Sequence, residues 1–105
     1  MRFVETAIFT RAIDELLDDE AYRSLQLALL VKPQAGPLIP GGRGLRKIRW
    51  AGKGKGRRGG CRIIYYWNAA SETFYMLFAY AKSKQEDLTA QQLRTLARLI
   101  REEFE

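Results

Sequence analysis

The sequence predicts an α+β fold with the element order β-α-α-β-β-β-α, in which a small antiparallel sheet packs on an N-terminal helical hairpin and a C-terminal helix follows. Apolar residues recur at helical spacing within the first 31 residues and again after residue 88. Between these regions lie three segments rich in β-branched and aromatic residues. At 105 residues, the chain is expected to form a single domain spanning residues 1–105.

The N-terminal third predicts a short strand and a helical hairpin. Arg2–Glu5 alternates polar and apolar residues, as a short strand does. Apolar residues between positions 7 and 17 follow helical spacing, and Asp18 or Asp19 is expected to cap a second helix. That helix should end near Val31, because a proline two residues later disfavours helical geometry at the residue before it.

The next three strands are predicted to form an antiparallel meander. A loop, Pro33–Gly44, holds all three prolines. Candidate strands follow at Leu45–Trp50, Cys61–Asn68 and Thr73–Ala81. The last of these is almost continuously apolar, which favours a central strand that is covered on both faces.

The C-terminal helix is predicted at Leu88–Phe104 and has a clear start. Thr89 and Gln92 match a capping box, in which each side chain accepts a hydrogen bond from the other residue's backbone N–H. The apolar positions that follow recur on one face of a helix, which predicts that this face packs on the sheet. These positions are Leu93, Leu96, Ala97, Ile100 and Phe104.

A basic stretch, Gly44–Arg62, is the most distinctive feature of the sequence. It contains eight Lys or Arg and no acidic residue, and with Arg43 it holds half of the 18 basic residues. No Asp or Glu occurs between Glu20 and Glu72. Because like charges repel, a fold that gathers them usually has an anionic partner. The stretch therefore predicts a nucleic-acid surface, and the alternative is a solvated basic loop.

Composition narrows the class of protein further. The net charge of +6 and a pI of about 9.8 favour a nucleic acid or an acidic protein as partner. The single cysteine excludes an intramolecular disulfide, and the N-terminus lacks the pattern of a signal peptide, so a cytoplasmic protein without membrane contact is expected. Histidine is absent, and no group of Asp, Glu or Cys has metal-ligand spacing. We therefore expect neither a metal nor another cofactor.

Three runs together resemble the RelE/ParE superfamily of toxins from type II toxin–antitoxin systems, and the phage-related HigB branch in particular. They are GLRKIRW, a glycine-rich basic loop ending in RGGCRIIYYW, and FYMLFAYAKSKQEDLT, so the resemblance extends from about Gly36 to the end. It implies a RelE-like fold and a ribosome-dependent, metal-independent endoribonuclease that cleaves mRNA in the ribosomal A site and inhibits translation. Implied partners are a cognate antitoxin of the helix-turn-helix type, mRNA, and 16S and 23S rRNA.

The resemblance also implies the site residues. The basic pair on the second strand of the family, the arginine that opens the third strand and the basic position after the fourth correspond to the catalytic candidates Lys47, Arg49, Arg62 and Lys82. Other basic residues nearby are predicted to bind RNA phosphates: Arg46, Lys53, Lys55, Arg57, Arg58 and Lys84. This chain lacks the tyrosine that one branch places shortly after the last catalytic position, where Thr89 falls, and the histidine that another branch uses. The general acid and base therefore stay open.

Cleavage of RNA without a metal uses the 2′-hydroxyl as nucleophile, and this chemistry assigns tasks to residue types. Arg62 suits charge stabilisation, because a guanidinium binds two oxygens and stays charged. A lysine acts as base only if its pKa is lowered by burial or by cationic neighbours. Tyr66 and Tyr80 could donate a proton or stack on a base, but their position inside apolar strands favours the core. Cys61 is expected to be structural, since no histidine can activate it.

Two other function classes remain open from the sequence. A ParE-like toxin shares the fold and inhibits DNA gyrase, without needing a basic constellation on strands two to four. A non-catalytic basic module that binds nucleic acid or protein would also account for the charge.

Overall fold

The computed structural model describes residues 1–51 and 60–105, and the predicted element order is confirmed there. The bounds of all strands match the predicted segments, and the last helix begins one residue after its predicted cap, Thr89. The elements are β1 (Arg2–Glu5), α1 (Ala7–Leu16), α2 (Asp19–Val31), β2 (Leu45–Trp50), β3 (Cys61–Asn68), β4 (Thr73–Ala81) and α3 (Ala90–Phe104).

Within the described residues, the strands form one sheet in the order β1-β4-β3-β2. The antiparallel meander β2-β3-β4 and the central position of β4 are confirmed. The expectation of a wholly antiparallel sheet needs one correction, because β1 pairs with β4 in parallel, from Arg2 opposite Thr73 to Glu5 opposite Met76. Either direction would satisfy the backbone of β4, so the strand sequences alone carry no signal for the choice.

Thr6 joins β1, α1 and β4 at one point. Its side-chain oxygen accepts a hydrogen bond from the backbone N–H of Phe9, as an N-cap does, and its hydroxyl donates to the carbonyl of Leu77. Its backbone N–H also donates to the carbonyl of Met76. The start of α1 is thereby fixed to the middle of β4, and this contact determines where the hairpin crosses the sheet.

Helices cover both faces of the sheet. The hairpin packs on one face through Phe9, Ile13, Leu17, Leu25 and Leu29, all buried. On the other face α3 buries Ile100 against the sheet, with Leu93, Leu96, Leu99 and Phe104 partly buried beside it. The sheet therefore has a hairpin face and an α3 face, and successive residues of each strand alternate between them. The predicted packing of the sheet on the hairpin is confirmed.

A β-bulge interrupts this alternation in β4. Ile64 pairs with Phe78 and Tyr65 pairs with Met76, so Leu77 is an extra residue in β4. Leu77 and Phe78 both belong to the α3 face, and the alternation resumes one residue out of phase. As a consequence Ala79 lies on the hairpin face and Tyr80 lies on the α3 face.

The predicted N-caps of α2 and α3 are both present in the structure. Asp18 is the N-cap of α2, and its carboxylate accepts a hydrogen bond from the backbone N–H of Ala21. Thr89 and Gln92 make both hydrogen bonds of the capping box. In the described part of the chain, none of the helices is long and apolar enough to cross a membrane.

Candidate active site

Basic and aromatic side chains form a transverse row on the α3 face of the sheet. Arg49 of β2 pairs in register with Arg62 of β3, and Arg62 pairs with Tyr80 of β4. Lys47 lies two residues before Arg49 and therefore shares its face of β2. We call Lys47, Arg49, Arg62 and Tyr80 the basic row. The sequence predicted these three cations, together with Lys82, as one catalytic group. The register of β2 with β3 places the three on the same face of the sheet.

Arg62 is buried, whereas Arg49 beside it is exposed. The Arg62 side chain is only 4% exposed, and one of its guanidinium nitrogens lies 3.4 Å from the backbone oxygen of Cys61. Burial in a strand between two neighbours restricts the rotamers of the side chain and gives the positive charge a fixed position. A charge held in this way suits electrostatic stabilisation of an anion, because it needs no reorganisation during reaction.

Asp87 provides a carboxylate that pairs with Lys47 of the basic row. Its Oδ1 lies 2.8 Å from Nζ of Lys47. The hydrogen bond and charge of Lys47 lower the pKa of Asp87, and the charges of Arg62 and Arg49 lower it further. All three cations therefore act on one carboxylate, although its side chain is 71% exposed. No sequence signal identifies Asp87 as a site residue, since it follows β4 in a turn and carries no motif of its own.

Tyr80 is buried at the end of the basic row. The residue is 6% exposed, and its hydroxyl has no hydrogen-bond partner among the residues that the structure describes. Burial raises the pKa of the hydroxyl, the Asp87 carboxylate raises it further, and the Arg62 charge acts in the opposite direction. The preference for a core role is confirmed for the ring, which packs against Phe78. The hydroxyl lies beside the charged groups of the site.

Two predicted site residues after β4 show no side-chain contact with the basic row in the described structure. Lys82 and Lys84 are both exposed, in the turn that leads to Asp87. The backbone N–H of Lys82 donates to the carbonyl of Gly60, and this bond joins the end of β4 to the start of β3. The catalytic role of Lys82 and the RNA-binding role of Lys84 stay predictions.

Arg46 is separated from the basic row by the pleat of β2. It lies on the hairpin face, where its guanidinium donates to the carbonyls of Gly36 and, at 3.4 Å, Gln34. The hydroxyl of Tyr65 holds the same loop, since it accepts from the N–H of Gly36 and donates to the carbonyl of Pro33. Arg46 thus supports the loop that covers the edge of β2, and its predicted contact with RNA stays a prediction.

The remaining predicted RNA-binding residues lie outside the described part of the chain. They are Lys53, Lys55, Arg57 and Arg58.

Gly60, where the described chain resumes, has a φ of +57°. A Cβ atom there would lie 2.1 Å from the carbonyl oxygen of Trp50. Only glycine permits this close approach, which sets the spacing between β2 and β3 beside Arg62.

Cys61 is buried and structural, as expected from the sequence. It is fully buried in the hairpin-face core, and burial raises the pKa of its thiol to about 11. A thiol of this kind is protonated at neutral pH and is a poor nucleophile. In residues 1–51 and 60–105, no group of three or more acidic or cysteine side chains is arranged to hold a metal ion. The side chains of the basic row supply positive charge and hydrogen-bond donors.

The fold is thus an α+β sheet between helices, with three cations on its neighbouring strands β2 and β3. The family model described as "RelE toxin of RelE / RelB toxin-antitoxin system" matches residues 1–104. The chain belongs to the RelE toxin family and is a toxin of a toxin–antitoxin system. Its partner in such a system is an antitoxin.

Proposed function

We propose that the protein is a ribosome-dependent endoribonuclease that cleaves mRNA in the ribosomal A site and thereby inhibits translation. The observation that carries the proposal is the register of the basic row, which places Arg49 opposite Arg62 and puts Lys47, paired with the Asp87 carboxylate, on the same face. A cluster that attracts one carboxylate suits a phosphate, which has similar oxygens and more charge. Membership of the RelE family supports RNA as the source of that phosphate.

The proposed reaction is transesterification within the RNA. The 2′-oxygen forms a bond to the adjacent phosphorus, and the bond from phosphorus to the 5′-oxygen breaks. The products are a 2′,3′-cyclic phosphate and a 5′-hydroxyl, so a proton leaves the nucleophile and another reaches the leaving oxygen. Arg62 would stabilise the charge that develops on the phosphate oxygens, and Arg49 would neutralise it from the solvent side. No step in this scheme requires a metal.

Lys47 fits charge stabilisation better than proton abstraction. The Lys47 ammonium forms an ion pair with the Asp87 carboxylate. An incoming phosphate would replace that carboxylate. From the sequence, Lys47 and Lys82 are both candidate general bases for RNA cleavage. The exposed position of Lys82 leaves it free to approach RNA, and we retain it as a proposed catalytic residue alongside Lys47, Arg49 and Arg62.

We propose that the antitoxin, of the helix-turn-helix type, inhibits by covering the basic row or the groove beside α3. That groove has a volume of about 570 Å³ and is lined by apolar groups of α1, β4 and α3, including Ile8, Leu77 and Leu96. Hydrogen exchange of the complex should show protection at β2 and β3 or along α3. Protection confined to residues 7–31 would contradict direct occlusion of the site.

The test of the function is expression of the toxin without antitoxin, followed by mapping of mRNA 5′ ends. New ends within codons, dependent on translation of the message, are expected. Pulse labelling should show protein synthesis falling before DNA synthesis. A fall of DNA synthesis first, with breaks linked to gyrase, would favour a ParE-like activity, and binding without either effect would favour a non-catalytic module.

A further inference from the structure

Tyr80 carries a hydroxyl that is engaged by none of the residues in the described ranges 1–51 and 60–105. The ring is packed in the α3-face core, where a phenylalanine would bury the same apolar surface. The hydroxyl oxygen is enclosed and has no hydrogen-bond partner among the described residues, although nearly all buried polar groups in proteins have one. An enclosed donor without a partner destabilises the folded state, because it has given up its hydrogen bonds to water.

The residue that carries this hydroxyl lies next to the cations of the site. Tyr80 is the register partner of Arg62, whose own partner on the other side is Arg49. The Asp87 carboxylate, which is held by Lys47, interacts with Tyr80 as well as with the two arginines. Lys47, Arg49, Arg62 and Tyr80 therefore lie on one face of three neighbouring strands, and Lys47 already pairs with an anion there.

We propose that the Tyr80 hydroxyl is a catalytic hydrogen-bond donor to a non-bridging oxygen of the scissile phosphate, which it contacts together with Arg62. The inference rests on the proposed ribonuclease function. Tyr80 keeps its proton throughout, so its role is to stabilise charge and no bond to it forms or breaks. The raised pKa of the hydroxyl agrees with this role, because the group stays a donor at neutral pH.

Asp87 marks the place that the phosphate takes. Its carboxylate pairs with Lys47, the charges of Arg62 and Arg49 also lower its pKa, and its side chain is largely exposed and can turn into solvent. A phosphate is larger than a carboxylate and carries more oxygens, so it can bind Lys47 and still present an oxygen toward Tyr80. Because two anions repel, the proposal requires the Asp87 side chain to leave when the phosphate enters.

The test compares Tyr80→Phe with Tyr65→Phe, since both remove one buried hydroxyl from the same sheet. Tyr65 differs because its hydroxyl accepts from Gly36 and donates to Pro33. In the free protein Tyr80→Phe should raise the melting temperature by about 4 °C or more, and Tyr65→Phe should lower it by a similar amount. Cleavage of ribosome-bound mRNA in single turnover should fall about 10²-fold in Tyr80→Phe and stay near wild type in Tyr65→Phe.

The outcomes separate this inference from the function on which it rests. If wild type cleaves mRNA on ribosomes and Tyr80→Phe cleaves it equally fast, the role of Tyr80 is wrong and the function stands. A lower melting temperature of Tyr80→Phe also overturns the inference, since the hydroxyl then has a structural partner. If wild type does not cleave, a 2′-O-methyl RNA trinucleotide serves as probe. Equal dissociation constants for wild type and Tyr80→Phe would then reject the phosphate contact as well.

Discussion

Tyr80 lies opposite Arg62 on the α3 face of the sheet because Leu77 is an extra residue in β4. Without that bulge the alternation of β4 would turn Ala79 toward the α3 face and Tyr80 into the hairpin-face core. Bulges often occur beside active sites, where they redirect one side chain. Here the bulge lies two residues before Ala79 and supplies the basic row with its neutral donor.

Removal of Arg62 is expected to abolish cleavage. Arg62→Ala should reduce single-turnover cleavage of ribosome-bound mRNA by about 10²–10³-fold, because one preorganised charge is lost. Arg62→Lys retains the charge without the planar fork and should also be impaired. Arg11→Ala, on the exposed surface of α1, is the control and should cleave like wild type. Circular dichroism melts show whether each variant is folded, and a folded Arg62→Ala that cleaves normally would remove Arg62 from the mechanism.

Neutralisation of Asp87 should tighten RNA binding. Asp87→Asn frees Lys47 for a phosphate, so the dissociation constant for a single-stranded RNA should fall. The slope of log K against log salt should steepen by about 0.7, the value for one added phosphate contact on a single strand. Glu86→Gln removes the same charge from the exposed neighbouring residue and is the matched control. Equal slopes for the two variants would argue that Asp87 does not occupy the phosphate position.

Two glycine substitutions separate backbone strain from steric collision. Gly41 and Gly60 both have positive φ, but a Cβ at Gly41 meets nothing within 4 Å, whereas at Gly60 it meets the carbonyl of Trp50. Gly41→Ala should therefore cost only the strain, about 1–2 kcal/mol. Gly60→Ala should cost roughly 3 kcal/mol or more and should also impair cleavage by displacing Arg62. Urea denaturation measures both, and equal losses would contradict the close approach.

The Cys61 thiol is expected to be unreactive in the folded protein. Its pKa is raised from 9.0 to about 11, so at pH 8 the thiolate fraction falls by about 10²-fold and burial slows access further. Reaction with a disulfide reagent should be fast only in denaturant. Because the folded pKa is the higher one, the thiol's contribution to stability is full below pH 9 and is lost as the pH rises through about 11. Cys61→Ala, melted over the same pH range, should lack that loss.

The sequence patterns predicted the elements because the signals for them are local. The β-branched and aromatic run of β3 and the Thr89 and Gln92 pair each specify structure within a few residues. The bulge at Leu77 depends on how two strands pair, and Asp87 reaches Lys47 across 40 residues of sequence. Neither of these long-range contacts can be predicted from a single amino-acid sequence.

The candidate site shows the same division between local and long-range information. The cations of β2 and β3 could be grouped by their strand positions, since alternation puts Lys47 and Arg49 on one face. The burial of Arg62 and the lack of a partner for the Tyr80 hydroxyl among the described residues could not be inferred, because both depend on how the elements pack together.

The parallel pairing of β1 with β4 has a consequence for synthesis of the protein. The hydrogen bond from Thr6 to Leu77 joins residues 71 positions apart, so the first strand finds its neighbour only after most of the chain has been translated. Until then the hairpin emerges from the exit tunnel with its apolar face bare, a state open to chaperones and to early capture by other chains. A nascent chain that stops before residue 73 lacks β4, so β1 has no neighbour in it and the sheet cannot close.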